Sequence, residues 1–144
     1  DNRHIGKSFT EKTVQDVIDM LHPDYIQCDT KGAYGIASYP TRLENRAPEI
    51  DKDILKIWRK VTMENGVGLF AHHAAMDDRD AAERHPDWAL MRADGSLDPR
   101  LLNVPGDYIE KRLIPQLLEL AGDYELDGAW MDGSGFNIEP NYRP

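Results

Sequence analysis

Apolar positions recur along the chain in two alternating rhythms. In "SFTEKTVQDVIDML", Val14, Val17, Ile18 and Leu21 fall at helical spacing, and Ser8 and Glu11 have the separation of a capping box. His22-Pro23 ends that helix, and "DYIQCDTKG" reads as a strand running into a loop. A second unit opens at "EIDKDILKIWRKVTMENG", with Asp51 as N-cap, Ile54, Ile57, Trp58 and Val61 as its buried stripe, and Asn65-Gly66 as the stop. "VGLFAHHAA" is its strand. The third unit, "PGDYIEKRLIPQLLELAGDY", places Ile109, Leu113, Leu117 and Leu120 on one face. Pro115 inside it predicts a kink or a late helix start, and "LDGAWMDG" is the strand that follows.

Helices alternating with largely apolar strands predict an α/β fold with a parallel sheet. Each strand ends in polar residues: Asp29 and Lys31, then His72 and His73, then Asp132. Ligands bind at the carboxyl ends of strands in such folds, so three separate strands deliver polar groups to one edge. The stretch from about Ala74 to Val104 is too long for a simple connection. It predicts an insertion after the second strand, with a short helix at "DRDAAERH" and a hairpin turning at Asp94-Gly95. With no low-complexity linker, residues 1–144 read as a single domain. Three units do not close an eight-stranded barrel, which takes roughly 250 residues. The domain is therefore a small open sheet or part of a larger barrel.

Charge narrows the partners. Asp plus Glu number 26 against 17 Lys plus Arg, a net charge of −9, and no basic stripe of the kind that tracks nucleic acid is present. A neutral, sugar-like ligand fits better. No run of about 18 apolar residues predicts a membrane span. The start, "DNRHIGKSF", is too polar for a signal peptide; earlier removal of one leaves a periplasmic or extracellular destination open. Cys28 is the single cysteine, in an apolar strand pattern, so neither an internal disulfide nor a thiolate cluster is available.

Asp132 leads the chemical candidates. A carboxylate at a strand end beside Trp130 serves as a nucleophile, a general base or a metal ligand, or else caps its own Gly-rich turn. His72 and His73 are strand neighbours and point to opposite faces, so one faces the ligand and the other the helix layer. Asp29, Lys31 and Tyr34 offer hydrogen bonds and a stacking ring to sugar hydroxyls and faces; a solvated turn with a local Asp-Lys pair is the plainer alternative. Trp88 is a lid aromatic or part of the insertion's own small core. Glu139 is a second carboxylate shortly after Asp132 and a candidate acid/base, with a merely solvated loop glutamate as the plainer alternative. There is no Gly-rich phosphate loop, no G-x-S-x-G elbow and no H-E-x-x-H.

Four stretches carry a family resemblance: "DTKGAYGIASYPT", "ENGVGLFAHHAA", "ERHPDWALMRADGS" and "LLNVPGDYIEKRLIPQLLELAGDYELDGAWMDG". Over about Ile5 to Gly133 the chain resembles the α-L-fucosidase-like glycoside hydrolases, and more closely a related group of glycosyl hydrolases described only as hypothetical. The resemblance implies a (β/α)8 barrel of which this chain holds strands two to four, with the remainder of the barrel or a further chain completing it. It also implies that Asp132 stands where fucosidases carry the catalytic nucleophile. Such enzymes retain configuration through a glycosyl-enzyme intermediate, with paired carboxyls about 5–5.5 Å apart. The chain departs from fucosidases at Lys31-Gly32-Ala33-Tyr34, where they carry paired histidines, and the fucosidase acid/base lies in later segments that do not map onto Glu139.

The reading is a retaining, α-L-fucosidase-like glycosidase acting on a carbohydrate without a cofactor. Asp132 is its nucleophile, and Asp29, Lys31, Tyr34, His72, His73, Trp88 and Trp130 contact the sugar. Two other classes stay open: a carbohydrate-binding protein without catalysis, and a metal-dependent hydrolase using strand-end His and Asp.

Overall fold

A computed structural model describes residues 6–133. Three parallel strands, β1 (Tyr25–Lys31), β2 (Gly68–Ala74) and β5 (Gly128–Asp132), form one sheet in the order β1-β2-β5. Helix α1 (Glu11–Leu21) precedes β1, α2 (Ile54–Glu64) precedes β2, and α4 (Ile114–Gly122) precedes β5. The predicted α/β alternation and parallel pairing are therefore present. Three strands do not close on themselves.

Local chemistry accounts for the helix ends. The capping box of α1 is made by Thr10 and Thr13, two residues after the expected Ser8, and His22 ends the helix in the left-handed conformation. In α2 the cap is Asp53, whose Oδ1 accepts from Lys56 N at 3.1 Å, rather than Asp51. Pro115 acts as its ring chemistry requires. Having no N–H, it cannot bond back to Lys111, and the helix enters through a π-turn over Ile109–Leu113 in which Ile114 N donates to Ile109 O.

The helices cover one face of the sheet. Leu69 and Ala71 of β2 are fully buried against Leu55 of α2 and Leu120 of α4, with Ile26 and Cys28 of β1 packed beside them. Burial pushes the Cys28 thiol up to about 12, as expected of an inert strand cysteine. A second cluster joins Val14 and Ile18 of α1 to Val61 and Val67. Strand alternation sends the remaining side chains to the opposite face: Tyr25, Gln27 and Asp29 from β1, Phe70 and His72 from β2, and Gly128, Trp130 and Asp132 from β5. Phe70 lies over Gly128, where a Cβ would come 2.5 Å from the ring, and meets Tyr25 edge-on at 5.5 Å.

The insertion after β2 is ordered as expected. It holds α3 (Arg79–Arg84), a 3-10 turn at Pro86–Trp88, and an antiparallel hairpin of β3 (Ala89–Met91) and β4 (Leu97–Leu102). The hairpin turns through Gly95, whose φ of +85° a side chain would strain.

Candidate functional site

Three strand ends converge on His72. Its Nδ1 is hydrogen-bonded to Asp29 Oδ1, and its Nε2 lies 3.4 Å from Asp132 Oδ2. The register explains the meeting: Asp29 is the partner of His72 across β1–β2, and Asp132 follows its partner Trp130 by two residues on β5. Because β2 lies between β1 and β5, a side chain on β2 bridges the two carboxylates. Asp132 Oδ1 accepts from Gly133 N at 2.7 Å. The imidazole pKa is raised, first by the hydrogen bond to Asp29 and then, against partial burial, by the two carboxylate charges and the contact with Asp132. Asp29 and Asp132 keep most of their side-chain surface open to solvent, while that of His72 is one-third exposed.

His73 occupies the other side of the sheet. It is fully buried, its Nδ1 lies 2.9 Å from Thr30 Oγ1, and its Nε2 has no hydrogen-bond partner. Burial, with the positive charge of Lys31, lowers its pKa to about 3, so the ring is neutral. The sequence expectation that it contacts a ligand is corrected by this position; strand alternation gives one histidine to the open face and one to the helix layer.

Lys31 requires a similar correction. Simple alternation would place it on the face of Asp29, but the register shifts between Asp29 and Lys31 and pairs Lys31 with His73. Its side chain is fully buried, with Nζ donating to Asp78 Oδ2 at 2.9 Å and to Tyr108 Oη at 2.6 Å. Lys31 thus anchors the insertion. Trp88 belongs to the insertion's core: it is 6% exposed, stacked on His85 with ring centroids 3.8 Å apart, and clustered with Met76, Leu102 and Tyr108. It is not an open sugar platform.

Trp130 and Tyr34 are exposed aromatics. Trp130 shares the face of His72 and Asp132, whereas Tyr34 is tied through its carbonyl to Asp80 N at the start of α3. Glu139 lies outside the described residues.

Sequence reading missed Asp77. Its side chain packs against Gly133, where a Cβ would come within 2.8 Å of Asp77 Cβ. Oδ1 is buried without a hydrogen-bond partner and Oδ2 faces Arg100 Nη2 at 3.3 Å. Burial raises the carboxyl pKa; Arg100 opposes the shift, and Asp98, Asp78 and Asp132 add to it. No local motif marks this residue, because the fold brings it beside the residue following Asp132.

The model for the family described as Hypothetical glycosyl hydrolase 6 matches residues 10–133. The chain belongs to this family. No curated protein matches it in sequence. Among solved structures, this glycosyl hydrolase family member is similar to α-L-fucosidase isoenzyme 2 from Paenibacillus thiaminolyticus, with 22% identity and a TM-score of 0.77 over 89% of this chain and 21% of that one. A hypothetical protein from Ruminiclostridium thermocellum ATCC 27405 matches with 13% identity and a TM-score of 0.70, covering 92% and 73% of the two chains. An α-L-fucosidase from Vibrio sp. strain EJY3 matches with 16% identity and a TM-score of 0.71, covering 93% and 23%. At these identities the likeness is one of fold, and the glycosyl hydrolase-family chain spans less than a quarter of either fucosidase.

Proposed function

We propose that this chain supplies part of the (β/α)8 catalytic barrel of a retaining glycoside hydrolase of α-L-fucosidase type, with Asp132 as nucleophile. The observation that carries the reading is the setting of Asp132. It ends a parallel strand on the open face, with one carboxylate oxygen on Gly133 N and the other facing His72. An exposed strand-end carboxylate held by one backbone donor and facing an imidazole supports a nucleophile that attacks an anomeric carbon.

In the first step a carboxylate oxygen of Asp132 bonds to the anomeric carbon as the glycosidic C–O bond breaks. A carboxylic acid gives its proton to the leaving oxygen. In the second step water attacks the same carbon, the acid's conjugate base takes the water proton, and Asp132 leaves with the sugar's configuration retained. Trp130 and Tyr34 line the sugar's surroundings, with Asp29 and His72 beside Asp132. Asp77, the described carboxyl beside the Asp132–Gly133 segment with a raised pKa, is the first residue to test as proton donor. Glu139 is the second.

The test uses the longest natural chain carrying this sequence and a panel of aryl glycosides that includes the α-L-fucoside. Asp132→Gly should abolish turnover, and added azide should restore it while giving a glycosyl azide of inverted configuration. A fully active Asp132→Gly removes the nucleophile assignment. A wild type that binds sugars without cleaving any glycoside points instead to a carbohydrate-binding protein.

A further inference from the structure

We infer that Asp29 and His72 are positioning residues for Asp132: Asp29 fixes the His72 ring, and the ring's Nε2 edge orients the Asp132 carboxylate. This assignment deepens the reading of Asp132 as nucleophile and rests on it for its catalytic consequence.

The sheet order makes the relationship an indirect one. β1 and β5 flank β2, so Asp29 acts on Asp132 through the side chain between them. The two links differ in tightness. Asp29 holds Nδ1 in a hydrogen bond, whereas Nε2 and Asp132 Oδ2 stand 3.4 Å apart. A ring clamped at one nitrogen and loosely engaged at the other steers a carboxylate that must also reach a substrate. Among the described residues, the charged groups acting on His72 are Asp29 from β1 and Asp132 from β5. His73, its neighbour on β2, turns into the helix layer and stays neutral.

Protonation is integral to the device. When the ring loses a proton while Nδ1–H stays on Asp29, Nε2 changes from donor to acceptor and faces the carboxylate with a lone pair. The raised His72 pKa extends the donor form to higher pH than a free imidazole would hold it, and orientation is lost as pH rises through that elevated value. Removing Asp29 takes away the largest cause of the elevation and moves this loss to lower pH.

The experiment follows the His72 ring by nitrogen-detected NMR titration, assigned with His72→Gln, in wild type, Asp29→Asn and Asp132→Asn. The expected wild-type midpoint lies above that of a free imidazole. It falls in both variants, most in Asp29→Asn. In parallel, the pH profile of aryl glycoside hydrolysis should show an alkaline limb that shifts downward in Asp29→Asn. The same variant should lose kcat roughly 10- to 100-fold, the scale found when an outer partner of an oriented histidine is removed from a metal site, with KM little changed. An unshifted ring midpoint in folded Asp29→Asn, or an alkaline limb unchanged in His72→Gln, overturns the assignment. If the ring titrates as expected but the wild type cleaves no glycoside, the relay stands as a structural unit and the hydrolase reading falls.

Discussion

Lys31 Nζ and Asp78 Oδ2 meet at 2.9 Å with neither side chain exposed, joining the end of β1 to the cap of α3. Asp78 Oδ1 accepts from Ala81 N at 2.8 Å and faces Arg112 Nη1 at 3.3 Å. Tyr108 completes the cluster by donating to Ala75 O at 2.7 Å. The insertion is thus held to the sheet through buried polar contacts as well as apolar packing.

Breaking a buried pair from one side costs about 3–5 kcal/mol when the remaining charge has no other partner. Here Asp78 keeps Arg112 at 3.3 Å, which holds the loss to the lower end of that range. Lys31→Met should therefore lower stability on that scale in urea unfolding. Adding Asp78→Asn should recover part of the loss, because the neutral amide no longer needs the missing cation while Asn still caps a helix. A double variant as unstable as the sum of the two singles would show that the pair is not coupled.

Gly35 sits under this cluster with φ +81°, and a Cβ there would fall 1.9 Å from Asp78 Oδ1. Gly35→Ala must displace a carboxylate that is already fixed by its partners, and also strains the backbone. Its cost should exceed about 1 kcal/mol. Gly32, three residues earlier, has open space around its missing Cβ. Gly32→Ala should stay within about 0.5 kcal/mol of wild type, and comparing the two thermal midpoints tests the explanation.

His73 predicts acid sensitivity. Its folded pKa, about 3, lies below the ordinary 6.5, so the folded state favours the neutral ring. Stability from this source is complete above pH 6.5 and is lost as pH falls toward 3, because the unfolded chain takes up the proton first. His73→Gln should flatten the decline of unfolding free energy across that window, even if it is less stable at neutrality.

Asp77 predicts the opposite sign. Its carboxyl pKa is raised above 3.8, so the folded state favours the protonated form. That contribution is present below 3.8 and is lost as pH rises through the elevated value. Relative to wild type, Asp77→Asn should gain stability as pH climbs out of the carboxylate range. An unchanged difference between pH 3 and pH 7 would mean that Arg100 fully compensates the burial.

Local patterns in the sequence determined the helices, the strands, the Pro115 irregularity and the hairpin at Gly95, since each depends on neighbours a few residues apart. They also indicated that His72 and His73 part company, because alternation along a strand is a local rule. The helix starts moved by two residues to Thr10 and Asp53, where a neighbouring oxygen made the better cap. Tertiary structure alone decided what Lys31, Trp88 and Asp77 do. A register shift buried Lys31 against a residue 47 positions away, the insertion closed around Trp88, and Asp77 met Gly133 across the fold. Asp29, His72 and Asp132 were each visible as strand ends. Their contact was not, because it depends on strand order, and it is strand order that puts the histidine between the two carboxylates.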